Sequence, residues 1–137
     1  MSTKQRDLFD IVRMYLVVAA VGFATLSFLD GSLLFRAAMA DLAMTILVYV
    51  FSVWKSNSSA YDMYWSIVPS YLSIWLFFVH NGVDWNWMQW GIMIVLNLWS
   101  WRLTHNWGRG WPGWHHEDWR YVDFRNAQGK WFEFTNF

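Results

Sequence analysis

Residues 14–29 have the sequence MYLVVAAVGFATLSFL, which carries no charged side chain. A helix on the surface of a soluble protein needs a polar face, and this segment has none. About 20 apolar residues are enough to cross the hydrocarbon core of a bilayer. In the whole 137-residue chain 56% of residues are hydrophobic and 15% are charged, against roughly 25% charged in ordinary soluble domains. The sequence therefore predicts an integral membrane protein rather than a soluble helical bundle.

Four segments of the chain approach membrane-spanning length. They are residues 11–29, 34–54, 63–79 and 85–103. The connections between them are short and turn-like, which is typical of an up-and-down antiparallel bundle. We therefore expect an all-α, polytopic membrane protein whose residues 1–104 form four transmembrane helices. Residues 105–137 then form an aromatic-rich cytoplasmic C-terminal tail.

The distribution of Lys and Arg sets the expected orientation in the membrane. With four spans, nine of the ten basic residues fall on one side and only Arg36 falls on the other. Basic residues concentrate on the cytoplasmic side, so both termini should be cytoplasmic. We expect a multi-pass protein of the endoplasmic reticulum if the source is eukaryotic, or of the inner membrane if it is bacterial. The glycosylation pattern Asn57-Ser58-Ser59 then lies on the cytoplasmic side and stays unmodified.

Charge and cysteine content exclude several classes of function. Lys and Arg total 10, as do Asp and Glu, so no basic field attracts nucleic acid. The absence of Cys removes thiolate catalysis and Cys-based metal sites. His115 and His116 are adjacent and do not share a helix face, so we expect no metal site there.

Polar residues inside the expected spans need a partner or a task, because an ionisable group at bilayer depth costs roughly 2.5–3.5 kcal/mol. Asp41 lies inside the second segment and is expected to pair with Arg36 near the outer interface. Asn86 and Gln89 are expected to hold neighbouring helices together. Asn97 lies deeper in the fourth segment, where it either joins helices or lines a cavity.

The start of the third segment combines an acid, aromatic rings and a proline. Asp62 and Trp65 are three residues apart and share one helical face. Pro69 removes a backbone donor and favours a kink. Together these features indicate a pocket wall at the cytoplasmic mouth of the helix. The alternative is a helix cap by Ser58 or Ser59, with Asp62 complementing the helix dipole.

The end of the fourth segment is the richest cluster of polar and aromatic residues. If the helix continues, Arg102, Asn106 and Arg109 lie on one face, with His105 beside them. Arginine offers fork-like donors that match phosphate. Nearby glycines free the backbone for close approach: Gly108, Gly110 and Gly113. We therefore favour an anion-binding loop over a simple membrane anchor with interfacial Trp. The acidic pair Glu117-Asp118 is expected to form ion pairs with nearby arginines: Arg109, Arg120 or Arg125.

Two blocks of the sequence resemble a known family. Residues 59–69, SAYDMYWSIVP, are similar to the pattern (Y/V)D-x-x-W-S-x-x-P. Residues 102–121, RLTHNWGRGWPGWHHEDWRY, are similar to the pattern R-L-T-x-N-(W/F)-x-R-G followed by (H/W)EDWRY. Both patterns are those of the steroid 5α-reductase-like membrane proteins of the DUF1295 type. The blocks occur in the family's order with one expected span between them.

The resemblance implies an NADPH-dependent reductase that transfers hydride to a C=C bond conjugated to a carbonyl, in a steroid- or lipid-like substrate. It implies catalytic roles for Asp62 and Tyr64, with Tyr61 as another candidate donor to the carbonyl oxygen. Trp65 borders the substrate pocket by the same resemblance, and Asn97 is the pocket candidate from the fourth segment. The implied cofactor-binding residues are Arg102, Asn106, Arg109, Asp118, Arg120 and Tyr121.

The family also has further spans and a C-terminal Arg/His-Pro-Asn-Tyr-type cofactor motif, for which this sequence has no counterpart. Residues 129–137 resemble the start of a fifth span. We therefore expect the N-terminal half of a reductase, inactive alone, that pairs with a missing C-terminal half or another membrane subunit. The alternative is a non-catalytic membrane scaffold or assembly subunit that binds a partner through its aromatic tail.

Overall fold

The computed structural model of the protein describes residues 2–79 and 84–135. Its elements are α1 (Thr3–Phe28), α2 (Leu33–Lys55), a 3₁₀ turn (Ser58–Met63), α3 (Tyr64–Val79), α4 (Trp87–Gly110), α5 (Trp119–Gln128), a second 3₁₀ turn (Gly129–Trp131) and α6 (Phe132–Thr135). Within the two described ranges no residue lies in a β-strand. The all-α prediction is therefore confirmed.

The helix ends follow from local hydrogen bonding. The Ser2 side chain starts α1 by accepting from the backbone N–H of Gln5, 3.2 Å away. The Asn86 side chain starts α4 by accepting from the backbone N–H groups of Met88 and Gln89, each at 3.0 Å. The Gln89 side chain accepts from the Asn86 N–H in return, and such reciprocal caps satisfy donors that a first turn leaves open. Asn86 and Gln89 therefore cap a helix, and the expectation that they join neighbouring helices is wrong.

Contacts divide the chain into two compact units, of which the first comprises residues 1–62 and 112–137. Its centre is the α1–α2 pair, in which buried side chains recur every one to four residues on one face of each helix. They are Ile11, Met14, Tyr15, Val18, Gly22 and Leu26 on α1, and Ala40, Met44, Val48 and Ser52 on α2. This spacing places one stripe of each helix against the other.

The outer faces of α1 and α2 are strongly apolar. Leu16 is 65% exposed, Phe23 is 59% exposed and Leu34 is 80% exposed. Both helices are long and apolar enough to cross a membrane. Soluble proteins rarely expose contiguous apolar surface on this scale, so lipid is the solvent that suits these two helices. The assignment of α3 and α4 as further spans stays a prediction.

The second unit comprises residues 63–111 and is built on the α3–α4 pair. Side-chain hydrogen bonds link the two helices along their length. They join Ser66 to Thr104 and Ser100, and Asn97 to Ser70 and Ser73. The Asn97 amide also donates to the carbonyl of Met93, 2.8 Å away. Hydrogen bonds of this kind hold helices together in lipid, which supports the helix-joining alternative for Asn97.

Candidate functional site

The site in the first unit is built on a side-chain clasp centred on Asn57, which is 1% exposed. The Asn57 amide nitrogen donates to the carbonyls of Trp114, at 3.0 Å, and His116, at 2.9 Å. Its amide oxygen accepts from the backbone N–H of Ser59 at 3.0 Å. We call these three hydrogen bonds the Asn57 clasp. The clasp fixes the start of the 3₁₀ turn against the loop that precedes α5.

A second set of bonds runs through Glu117. Its carboxylate accepts from the backbone N–H of Ser58 at 2.7 Å and from the Arg125 guanidinium at 3.1 Å. Arg125 also donates to the Glu133 carboxylate at 2.6 Å. The expected ion pairing of Glu117 with a nearby arginine is confirmed, with Arg125 as the partner.

Two phenols hold the 3₁₀ turn against the α1–α2 pair. The buried Tyr15 hydroxyl donates to the Ala60 carbonyl, 2.8 Å away. The Tyr61 hydroxyl hydrogen-bonds to Thr45 of α2. The two residues directly before Asp62 are therefore held against α1 and α2.

Four of the predicted site residues meet at the end of this turn. The Tyr121 hydroxyl donates to the Asp62 carboxylate at 2.9 Å, and the Arg120 guanidinium lies 3.3 Å from both Asp62 oxygens. Arg120 also donates to Asp118 at 2.8 Å. The backbone N–H of Asp118 in turn donates to the Ser59 hydroxyl at 2.6 Å. We call Asp62, Asp118, Arg120 and Tyr121 the Asp62 cluster.

The surroundings of the Asp62 cluster shift its proton affinities. Burial raises the pKa of the Asp62 carboxyl, and this outweighs the Tyr121 hydrogen bond and the Arg120 charge, which lower it. The pKa of Asp118 is lowered, mainly by its side-chain hydrogen bond from Arg120. Burial, reinforced by the Asp62 charge, raises the pKa of Tyr121, so that its hydroxyl remains a donor. The cluster thus places a carboxyl whose pKa is raised beside a carboxyl whose pKa is lowered.

In the second unit, α4 continues to Gly110 and carries a polar face. Arg102, Asn106 and Arg109 are all exposed on this face, as the sequence predicted for a continuing helix. The His105 ring stacks on Trp101, with centroids 5.5 Å apart. Within residues 2–79 and 84–135 the Arg102 guanidinium makes no ion pair. The face therefore offers a fork-like donor to an external anion.

The glycines behave differently from one another. Gly108 and Gly110 lie inside α4, so the expectation of a glycine-rich loop is wrong at these two positions. Gly113 has a φ of +128°, and a Cβ there would collide with the Asp7 carboxylate. The same carboxylate accepts from the backbone N–H of Trp114 at 3.2 Å. Only a glycine allows the loop to approach the start of α1 this closely.

The remaining predicted site residues belong to the second unit. Tyr64 is 2% exposed and its ring meets that of Trp65 edge-on, with centroids 6.3 Å apart. Trp65 is 63% exposed. Asn97 is one of the residues whose side-chain hydrogen bonds link α3 to α4, and we call this set of bonds the α3–α4 ladder. The roles of these three residues stay predictions.

Residues 48–137, which are 90 of the 137 residues, match DUF1295, a family described as proteins of unknown function. The chain belongs to the DUF1295 family. This family is the steroid 5α-reductase-like group. An uncharacterized protein of Schizosaccharomyces pombe is 38% identical over 85 residues, which cover 58% of this chain and 24% of that protein. This chain therefore spans about a quarter of the length of that relative. No solved structure matches the chain.

The DUF1295 match covers the Asp62 cluster and the Asn57 clasp, and it begins within α2. The clasp was not predicted from the sequence, in which Asn57 stood out only as part of a glycosylation pattern. The sequence feature that indicates it is the run of small polar residues at 56–59, which overlaps the start of the block that resembles the family. Asn and Ser side chains readily hydrogen-bond to backbone groups, which favours such a contact here.

Proposed function

We propose that this chain is the N-terminal part of an integral membrane, NADPH-dependent reductase of conjugated C=C bonds in steroid- or lipid-like substrates. The observation that carries the proposal is the Asp62 cluster. Asp62 comes from one block that resembles the family, and the other three members of the cluster come from the second block. A half-buried acid held by a phenol and a guanidinium, in a member of the steroid 5α-reductase-like group, suits proton transfer to a polarised carbonyl.

The proposed membrane arrangement has four spans, α1 to α4, and cytoplasmic termini. The distribution of basic residues supports this orientation. The Asp62 cluster follows α2 by a few residues, and α2 ends at Lys55. In this arrangement the cluster lies at the cytoplasmic surface, where a soluble dinucleotide can reach it. The membrane is that of the endoplasmic reticulum in a eukaryote or the inner membrane in a bacterium.

The donors on the exposed face of α4 fit the phosphates of a dinucleotide. Arg102 and Arg109 are seven residues apart, which corresponds to about 10 Å along a helix. The Asn106 amide lies between them on the same face. These three residues would hold the phosphates, while Asp118, Arg120 and Tyr121 would order the loop that precedes α5. When bound, NADPH supplies the hydride that reaches the β-carbon of the conjugated system.

Residues of the chain itself would donate the proton and bind the substrate. Asp62, with its raised pKa, would donate a proton to the carbonyl oxygen as negative charge develops there. Tyr64 is the second candidate donor. The exposed Trp65 ring would offer a flat apolar surface to a steroid-like ring system. Asn97, which belongs to the α3–α4 ladder, would border the substrate pocket.

Cofactor binding by the purified chain in detergent micelles tests this proposal. The wild type should bind NADPH, and the double variant Arg102→Gln/Arg109→Gln should bind it at least a hundredfold more weakly, since hydrogen bonds to charged groups contribute about 1.5–3 kcal/mol each. Arg6→Gln is the matched control, because Arg6 is an exposed arginine on α1. Equal NADPH affinity in wild type and double variant would contradict the assignment of this face.

A second candidate function is a non-catalytic scaffold or assembly subunit. The observation that favours it is the aromatic surface of the tail, where Trp119 is 69% exposed, Trp131 is 62% exposed and Phe134 is 80% exposed. Aromatic side chains are enriched where proteins bind one another. This function predicts no nicotinamide binding and a stable complex with another membrane protein after gentle detergent extraction.

A further inference from the structure

A small pocket lies in the first unit where the charged end of α1 meets the end of α2. Its volume is about 170 Å³. Its walls come from α1, from α2 and from the loop before α5: Asp10, Arg13, Met14, Val17, Phe51, Trp54, Lys55 and Trp114. Neither the Asp62 cluster nor the polar face of α4 contributes a residue to it. The pocket is therefore separate from both of the sites described above.

The polarity of the pocket changes along the helix axes. Arg13 and Lys55 lie at its outer end, on α1 and α2 respectively. Val17 lies one turn after Arg13 on α1, and Phe51 lies one turn before Lys55 on α2. Each is about 6 Å deeper in the pocket than the cation on its own helix. The two helices are antiparallel, so both turns run in the same direction, away from the charged end. A cationic mouth thus leads into an apolar groove.

The two cations at the mouth of the pocket differ in their ion pairing. The Lys55 ammonium pairs with the Asp10 carboxylate and lies 4.9 Å and 5.1 Å from the ring centres of Trp54 and Trp114. The Arg13 guanidinium lies 4.3 Å from the Phe9 ring centre. Within the part of the chain that the structure describes, Arg13 forms no ion pair with a carboxylate. The mouth therefore carries a net positive charge.

We propose that this pocket binds an anionic glycerophospholipid of the surrounding bilayer. The lipid phosphate meets Arg13 and Lys55, and one acyl chain lies against Val17 and Phe51. A lipid fits better than free phosphate because the groove beneath the cations is apolar and because Trp54, 70% exposed, is the side chain expected at the headgroup layer. The inference depends on α1 and α2 crossing a membrane, and it does not depend on reductase chemistry.

Lipid titration of the purified full chain in detergent micelles tests the inference, with bound lipid counted by native mass spectrometry. The probes are phosphatidylglycerol, phosphatidylcholine and inorganic phosphate. The wild type should bind phosphatidylglycerol more tightly than phosphatidylcholine. Arg13→Gln should weaken phosphatidylglycerol binding about fivefold, which is the contribution of one basic residue near an anionic surface.

The control is Arg6→Gln, which removes an arginine from the same helix two turns away and outside the pocket. It should leave the affinity for phosphatidylglycerol unchanged. Three results would overturn the inference: equal affinity for the two lipids, an equal loss in Arg6→Gln and Arg13→Gln, or displacement of phosphatidylglycerol by inorganic phosphate. NADPH binding by Arg13→Gln, measured in parallel, should equal that of the wild type, which separates this test from that of the reductase proposal.

Discussion

Replacement of Asn57 by alanine should lower the stability of the first unit substantially, although it removes only a small polar side chain. The side chain is 1% exposed and makes the three hydrogen bonds of the Asn57 clasp. At about 1 kcal/mol for each lost hydrogen bond, the free energy of unfolding should fall by about 3 kcal/mol. That change corresponds to roughly a hundredfold rise in the unfolded population.

Denaturant titration in detergent micelles, followed by circular dichroism, measures this change. Asn126→Ala is the matched control, because Asn126 is exposed on α5 and should differ from the wild type by no more than about 0.5 kcal/mol. Asn57→Asp provides a second test. It keeps the oxygen that accepts from the Ser59 N–H, but it replaces the donor to two carbonyls with an acceptor, so it should destabilise at least as much. An Asn57→Ala variant as stable as Asn126→Ala would refute the reasoning.

Three further predictions concern the Asp62 cluster and the α3–α4 ladder. Tyr121→Phe removes a hydrogen bond that lowers the pKa of Asp62, so this pKa should rise further in an NMR titration of labelled aspartate side chains, and a fall would contradict the cluster. The lowered pKa of Asp118 means that its charged form stabilises the fold above the usual carboxyl range, and that this stability is lost as pH falls through the lowered value. Asp118→Asn should therefore be less stable than wild type at neutral pH and equally stable in acid, as denaturation at several pH values will measure; a constant difference would count against it. Asn97→Leu removes two side-chain hydrogen bonds between α3 and α4, each contributing about 0.6 kcal/mol. The free energy of unfolding in micelles should therefore fall by roughly 1 kcal/mol, and a rise would contradict a stabilising role for the α3–α4 ladder.

The sequence predicted the helices best where apolar length alone decides the structure. The uncharged run at 14–29 lies almost wholly within α1, which ends at Phe28. The end of α4 was harder, because Gly108 and Gly110 indicated a loop. Glycine costs about 1 kcal/mol in a helix interior, yet the Trp111 N–H donates to the Trp107 carbonyl at 2.8 Å and their rings stack 4.9 Å apart. These contacts stabilise the last turn against the preference of the two glycines.

The candidate site was predictable where two motifs could be compared with a family pattern. That comparison selected Asp62, Arg120 and Tyr121, which the structure brings together. The carbonyls that Asn57 binds in the clasp were not predictable, because they lie 57 and 59 residues further along the chain. Local periodicity carries no information about a contact at that distance along the chain. Composition likewise could not show that Arg13 and Lys55 line one pocket.

The Asn57 clasp also has a consequence for quality control in a eukaryotic cell. The amide nitrogen of Asn57 is the atom to which a glycan would be attached, and in the folded protein it donates to two carbonyls. A glycan and the native contacts therefore exclude one another. In the proposed orientation Asn57 lies on the cytoplasmic side. A chain inserted in the opposite orientation would expose this acceptor to the lumen before folding, and the added sugar would then prevent the loop from docking. A glycan on Asn57 would therefore identify chains inserted in the orientation opposite to the proposed one.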